Sequence, residues 1–119
     1  MQDRWQLDER ITNTVPQVSH VRNGDGHLVG TVASIEAGDE YHVGVARCNP
    51  GEPGFSRKIG RKAASGRARL AMARKLGLTN RSHDRSRFVL SATIPQVEIF
   101  NFLREQGVNV PDERPANQE

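Results

Sequence analysis

Two turn signals close together constrain this chain more than any other feature. The first is Asn23-Gly24-Asp25-Gly26 and the second is Ala37-Gly38-Asp39-Glu40. Both are the glycine, asparagine and aspartate clusters that let a chain reverse within a few residues. The segments around them alternate with period two. Val29, Thr31, Ala33 and Ile35 share one face of an extended segment, and Tyr41, Val43 and Val45 share a face of the next. Strands joined by such short turns are neighbours and run antiparallel. The reading is a meander of three strands from Gln17 to Cys48, with a fourth in Arg87-Phe88-Val89-Leu90-Ser91. Gly30 and Gly44 interrupt the strands and mark either bulges or close packing against a helix.

After the loop Asn49-Pro50-Gly51-Glu52-Pro53-Gly54 the period changes to that of a helix. Ser56 reads as an N-cap, and the helix is expected from Arg57 to Leu76 with Gly77 ending it. Ile59, Ala63, Gly66, Leu70 and Ala73 fall in an arc of about 80° and are the expected apolar stripe. Thr93-Ile94-Pro95-Gln96 has the pattern of a capping box. A second helix is expected from there to about Gln106, with Val97, Phe100 and Leu103 as its buried face and Gly107 as its terminator. Residues 1–16 read as a short helix or an arm, with Trp5, Leu7 and Ile11 as apolar positions before Pro16. The expected architecture is α+β: a three- or four-stranded antiparallel meander, with the long basic helix and the C-terminal helix on one face. At 119 residues this is one domain, placed at 1–110, with a polar disordered tail at 111–119.

Charge is distributed unevenly. Between Arg57 and Arg87 there are 11 basic residues and one acid, Asp84, a net +10, against −7 for the rest of the chain. Arg57, Lys58, Arg61, Lys62, Arg67, Arg69, Arg74 and Lys75 lie on the expected helix without a single acid among them. Helices that serve only as solvated surfaces pair acids with bases at i,i+4 and place acids in the first turn. This one does neither, at a cost to its own stability, so an anionic partner is expected. With Arg81 and Arg85 in the following loop, these cations are the candidate nucleic-acid contacts. At 5% aromatic residues there are few stacking platforms, with Phe55 and Tyr41 the main candidates, so a duplex is expected rather than a single strand.

Other chemistry is sparse. Cys48 is the lone cysteine and reads as a half-buried residue at a strand end. His20 and His42 are candidates to face each other across strands, but two histidines without a third ligand do not make a metal site. His83 and Asp84 read as a charge-balancing pair in the arginine-rich loop. No phosphate-loop motif, nucleophile dyad or acid/base pair is present, so no metal, no cofactor and no enzymatic activity is expected. The opening MQDRWQLDER carries both charge signs and no apolar run, and no stretch approaches a membrane span. A cytoplasmic setting is expected.

Two resemblances add to this. Gly54-Phe55-Ser56-Arg57-Lys58-Ile59-Gly60-Arg61-Lys62-Ala63-Ala64 resembles the start of the second helix of double-stranded-RNA-binding domains. That helix carries Ser-Lys-Lys-x-Ala-Lys followed by Ala-Ala. Gly24-Asp25-Gly26-His27 is similar to the Gly-Pro-x-His loop of the same family. The resemblance covers at most residues 3–77. It implies a helix, three strands and a helix, with His27 entering a minor groove and Arg57, Lys58 and Arg61 on phosphates. The chain departs from that family in a longer stretch between His27 and Ser56 and in the strand and helix that follow. Val43-Gly44-Val45-Ala46-Arg47-Cys48, with Phe55-Ser56-Arg57-Lys58-Ile59-Gly60-Arg61 and Gly66-Arg67, is similar to short accessory proteins of tailed bacteriophages. That likeness implies an origin in a phage or other mobile element within a bacterial host cell, and an alternative to nucleic-acid binding. This is a host-directed inhibitor of a protein or ribonucleoprotein, of the anti-defence, anti-CRISPR or polymerase-binding kind. A chain with a basic and an acidic surface is also compatible with a homodimer.

Overall fold

The computed structural model describes residues 4–48, 56–80 and 90–108. A 3-10 turn, Arg4–Leu7, leads into the short helix α1, Glu9–Thr12. Strands β1 (Gln17–Arg22), β2 (Leu28–Ala37) and β3 (Glu40–Arg47) follow, then the helix α2 (Arg57–Lys75). Strand β4 (Ser91–Pro95), a 3-10 turn (Gln96–Glu98) and the helix α3 (Ile99–Glu105) complete it. The four strands form one antiparallel sheet in the order β1-β2-β3-β4. The α+β class and the meander expected from the turn signals are therefore present.

The turns form as their residues dictate. Asn23 accepts the backbone N–H groups of Asp25 and His27 through its side-chain oxygen, at 2.9 and 3.0 Å, and closes the first hairpin. The second hairpin is a two-residue loop between the paired residues Ala37 and Glu40, and Gly38 takes the positive φ of 64° that its first position requires. The register between β1 and β2 slips after Val21↔Gly30, so that Arg22 pairs with Leu28. Gly30 thus lies at an irregularity, one of its two expected roles.

Gly44 fills the other role. A Cβ placed there would collide with the backbone carbonyl of Ala64 and the amide of Ala68. Helix α2 therefore rests with its backbone directly on β3, a separation that only glycine on the strand permits. The face of α2 turned to the sheet carries Gly60, Ala64, Ala68 and Ala71, packed over Ala33, Ile35 and Ala46. This corrects the expected stripe, which lies about 135° away around the helix at 3.6 residues per turn. Of the expected set, Leu70 and Ala73 are buried, but by Trp5 and Ile11 of the N-terminal arm. Ile59 and Gly66 are exposed. Nearly every turn of α2 has small residues on two sides, so periodicity alone does not distinguish the sheet face from the arm face.

The two long helices cover opposite faces of the sheet, not one. Val21, Val32 and Val45 point away from α2 and pack with Leu90, Phe102 and Leu103. The stripe of α3 is accordingly Ile99, Phe102 and Leu103, while Val97 is 88% exposed and Phe100 lies at the surface. Among the described residues β4 continues four residues past the expected end at Ser91, so Thr93 belongs to the strand and caps no helix; Arg87, Phe88 and Val89 lie outside the described residues. Ser56 does cap α2, accepting from the Ile59 amide at 3.2 Å, and Gly77 ends it with φ 76°. In the arm, Trp5 and Ile11 are buried as expected and Leu7 is 68% exposed. The expected tail at 111–119 lies outside the described residues.

Two glycine substitutions test this packing. Gly44→Ala is expected to destabilise the protein by about 3 kcal/mol or more, because backbone and not a flexible side chain must move. Gly66→Ala, on the open side of α2 where a Cβ meets nothing within 4 Å, is expected to stabilise it by up to about 1 kcal/mol. Urea unfolding midpoints of the two variants read both effects.

Candidate nucleic-acid interface

The cations of α2 divide into two groups. Arg67 donates through Nη1 to the Val45 carbonyl at 2.7 Å, just past the last β3–β4 pair, Gly44↔Ser91. Arg74 donates through Nη2 to the Ser91 carbonyl at 2.8 Å. Ser91 returns a bond from its hydroxyl to the Arg67 carbonyl at 2.7 Å, tying β4 to α2 in both directions. Arg69 donates to the Thr14 carbonyl at 2.8 Å and pins the arm. Lys75 forms an exposed ion pair with Glu40 at 3.2 Å, an interaction worth at most about 1 kcal/mol. Four of the candidate contact residues thus bind the protein itself.

The other four do not. Arg57, Lys58, Arg61 and Lys62 are exposed, and among the described residues they make no hydrogen bond or ion pair. They occupy the first two turns of α2, where helical N–H groups have no intrahelical acceptor and where the first turn holds no acid. Helix and strand directions bring His27 to the same end. Lys75 meets Glu40 at the second hairpin, so α2 runs antiparallel to β3 and begins where β3 ends. Arg47 at that end pairs with Gly30, beside the first hairpin that carries exposed His27. Arg22, at the base of that hairpin, donates to the Gly26 carbonyl at 3.0 Å. Arg81 and Arg85 lie outside the described residues, as do Phe55 and the pair His83–Asp84.

The histidines of the sheet are occupied separately. His20 and His42 do not face each other: His20 pairs with Thr31 and His42 with Ile35, with β2 between them. His20 Nδ1 lies 3.0 Å from Thr31 Oγ1, and His42 Nδ1 lies 2.8 Å from Thr93 Oγ1. Burial, then the fields of Arg57, Arg61 and Arg22, hold His20 below the ordinary imidazole range. Among the described residues His20 Nε2 has no hydrogen-bond partner, although it is buried. Burial likewise holds His42 down, with Glu40 opposing and Lys75 adding to it. Sequence reasoning did not identify His20 as a neighbour of the helix cations, because the helix-to-strand register is a tertiary property.

Among the described residues no group of three or more His, Cys, Asp or Glu could hold a metal ion. Cys48 is half-buried just beyond β3, with its Sγ 3.4 Å from the Leu28 carbonyl. No helix among the described residues is long and apolar enough to cross a membrane. The chain matches no protein-family model, no curated protein and no solved structure.

Two outcomes follow from this geometry. Both histidines bind a proton less readily in the folded state than in the unfolded chain, so their contribution to stability is complete above the unfolded imidazole value of about 6.5. It is lost as pH falls through their lower folded values. The urea midpoint is expected to drop between pH 7.5 and pH 5, and His42→Asn to flatten that drop. Arg67→Gln is expected to cost about 1–3 kcal/mol by leaving the Val45 carbonyl without its donor. If Arg67 serves the fold, nucleic-acid affinity measured on the folded fraction changes little in that variant.

Proposed function

We propose that this protein is a non-enzymatic nucleic-acid-binding protein that grips the phosphates of a duplex with the N-terminal half of α2. The observation that carries this reading is the cluster Arg57, Lys58, Arg61 and Lys62, exposed and without a protein partner among the described residues. A helix start that holds cations in place of acids loses stability by itself and recovers it when an anion binds. Arg22 and His27 at the same end of the sheet supply a second point of contact. The resemblance to double-stranded-RNA-binding domains supports a duplex: the arm, three strands and α2 follow in that family's order, and the arm packs on α2. Trp5 is 7% exposed and offers no face for stacking, which also favours a duplex over a single strand. Arg67, Arg69, Arg74 and Lys75 bond to groups of the protein itself, and the proposed interface is drawn without them.

Fluorescence anisotropy against duplex RNA and duplex DNA over a salt series tests this. The wild type is expected to show a log–log salt slope of about 0.9 for each DNA phosphate neutralised. Combining Arg57→Glu, Lys58→Glu and Arg61→Glu should weaken binding about a hundredfold or more and flatten the slope. Lys75→Gln should leave both unchanged. The proposal fails if neither duplex binds at low salt, or if the triple variant binds like the wild type.

A further inference from the structure

The opposite flank of α2 carries a different surface. At 3.6 residues per turn, Ile59, Ala63, Gly66 and Leu70 lie about 170° around the helix from Arg57 and Arg61. The N-terminal arm borders that flank and leaves two adjoining hollows of about 460 and 440 Å³, which share Trp5, Gln6, Lys62 and Gly66. Ile59 and Ala63 contribute apolar floor to the first and Lys62 its cationic rim, while Arg67 borders it with its guanidinium bonded to the Val45 carbonyl. Arg69 and Ile11 line the second. Among the described residues no acid lines either hollow.

Two residues here are unexplained by the fold. Ile59 is 50% exposed on a helix whose other exposed side chains, Gly66 having none, are charged. Gly66 sits in mid-helix, where glycine lowers helix stability, yet a Cβ there would meet nothing within 4 Å. Neither packing nor a positive φ calls for glycine at that position. What a side chain at Gly66 would obstruct is whatever lies in the groove.

We propose that this groove seats an acidic amphipathic helix of a partner protein. The assignment rests on charge and polarity together. The lining pairs apolar floor with cationic rim, so its complement is an apolar stripe flanked by carboxylates. The apolar floor and the buried indole disfavour a nucleic acid as occupant. From Ile59 to Leu70 the groove follows α2 for about 16 Å, the length of a three-turn helix. An aliphatic side chain of that helix rests on Ile59 and Ala63, its backbone passes over Gly66, and a carboxylate reaches Lys62. The inference does not depend on duplex binding: Lys62 is common to both surfaces, but Arg57 and Arg61 lie on the other flank and line neither hollow.

Trp5 is the sole tryptophan, so its emission reports on the groove directly. The probe is a synthetic three-turn peptide without tryptophan, with leucines at i, i+3 and i+4 spacing and glutamates elsewhere. Titrated into the full chain, it is expected to shift Trp5 emission saturably. Gly66→Leu fills open space, so it should preserve the fold and weaken the peptide about tenfold or more while leaving duplex affinity unchanged. Lys62→Glu should weaken the peptide as well. The proposal is overturned if the peptide does not bind, if a scrambled peptide of equal charge binds equally well, or if Gly66→Leu binds like the wild type. It is overturned too if Gly66→Leu abolishes duplex binding, which would give the groove to nucleic acid. Abolition by Gly66→Leu of a concentration-dependent mass in light scattering would give it to a second copy of this chain, with the same consequence.

Discussion

Helix α2 approaches β3 at Gly44 more closely than a Cβ there would permit, and much of the structure depends on that contact. Helix backbone rests on strand backbone there, with no side chain between them. At that separation the Ser91 hydroxyl reaches a helix carbonyl, and the guanidinium groups of Arg67 and Arg74 reach carbonyls of β3 and β4. These bonds satisfy strand groups that the end and edge of the sheet would otherwise leave to water. They also fix the rotation of the helix about its axis. Once Ala64 and Ala68 face the sheet, the direction of every other side chain on α2 is set.

That rotation sorts a uniformly basic helix into parts with different duties. Its C-terminal half is held to the protein by Arg67, Arg69, Arg74 and Lys75. Its N-terminal half presents four cations outward, two of them close enough to His20 to depress its basicity together with Arg22. The electrostatic strain is therefore concentrated at one end of the molecule. An anion there would relieve repulsion among the arginines and complement the free N–H groups of the first turn.

The N-terminal arm sets the second division. Trp5 and Ile11 bury Leu70 and Ala73, and the Arg69 bond to Thr14 ties the arm down. Without the arm, α2 would present a plain convex surface beyond the sheet. With it, the flank bearing Ile59 and Gly66 becomes concave, apolar at the bottom and basic at the rim. Two surfaces of different chemistry thus share one helix, one polar and suited to phosphate, the other amphipathic and suited to a polypeptide.

The meander, its hairpins, the Ser56 cap, the Gly77 stop and the α+β class were legible in the sequence. Each depends on residues near one another in the chain, where local backbone preference and period-two alternation act. The uneven charge was equally legible, and it pointed to one helix as the proposed interface. The sequence could not show which cations of that helix remain outward, because Arg67 and Arg74 find their acceptors on strands remote in sequence. The same holds for the stripes of α2 and α3. Each helix has two apolar or small-residue stripes of similar quality, and only the glycine at position 44 and the opposite placement of the helices across the sheet select between them. Periodicity states that a helix has a face to bury. Which face it buries is decided by the surface it meets, and that surface exists only in the folded chain.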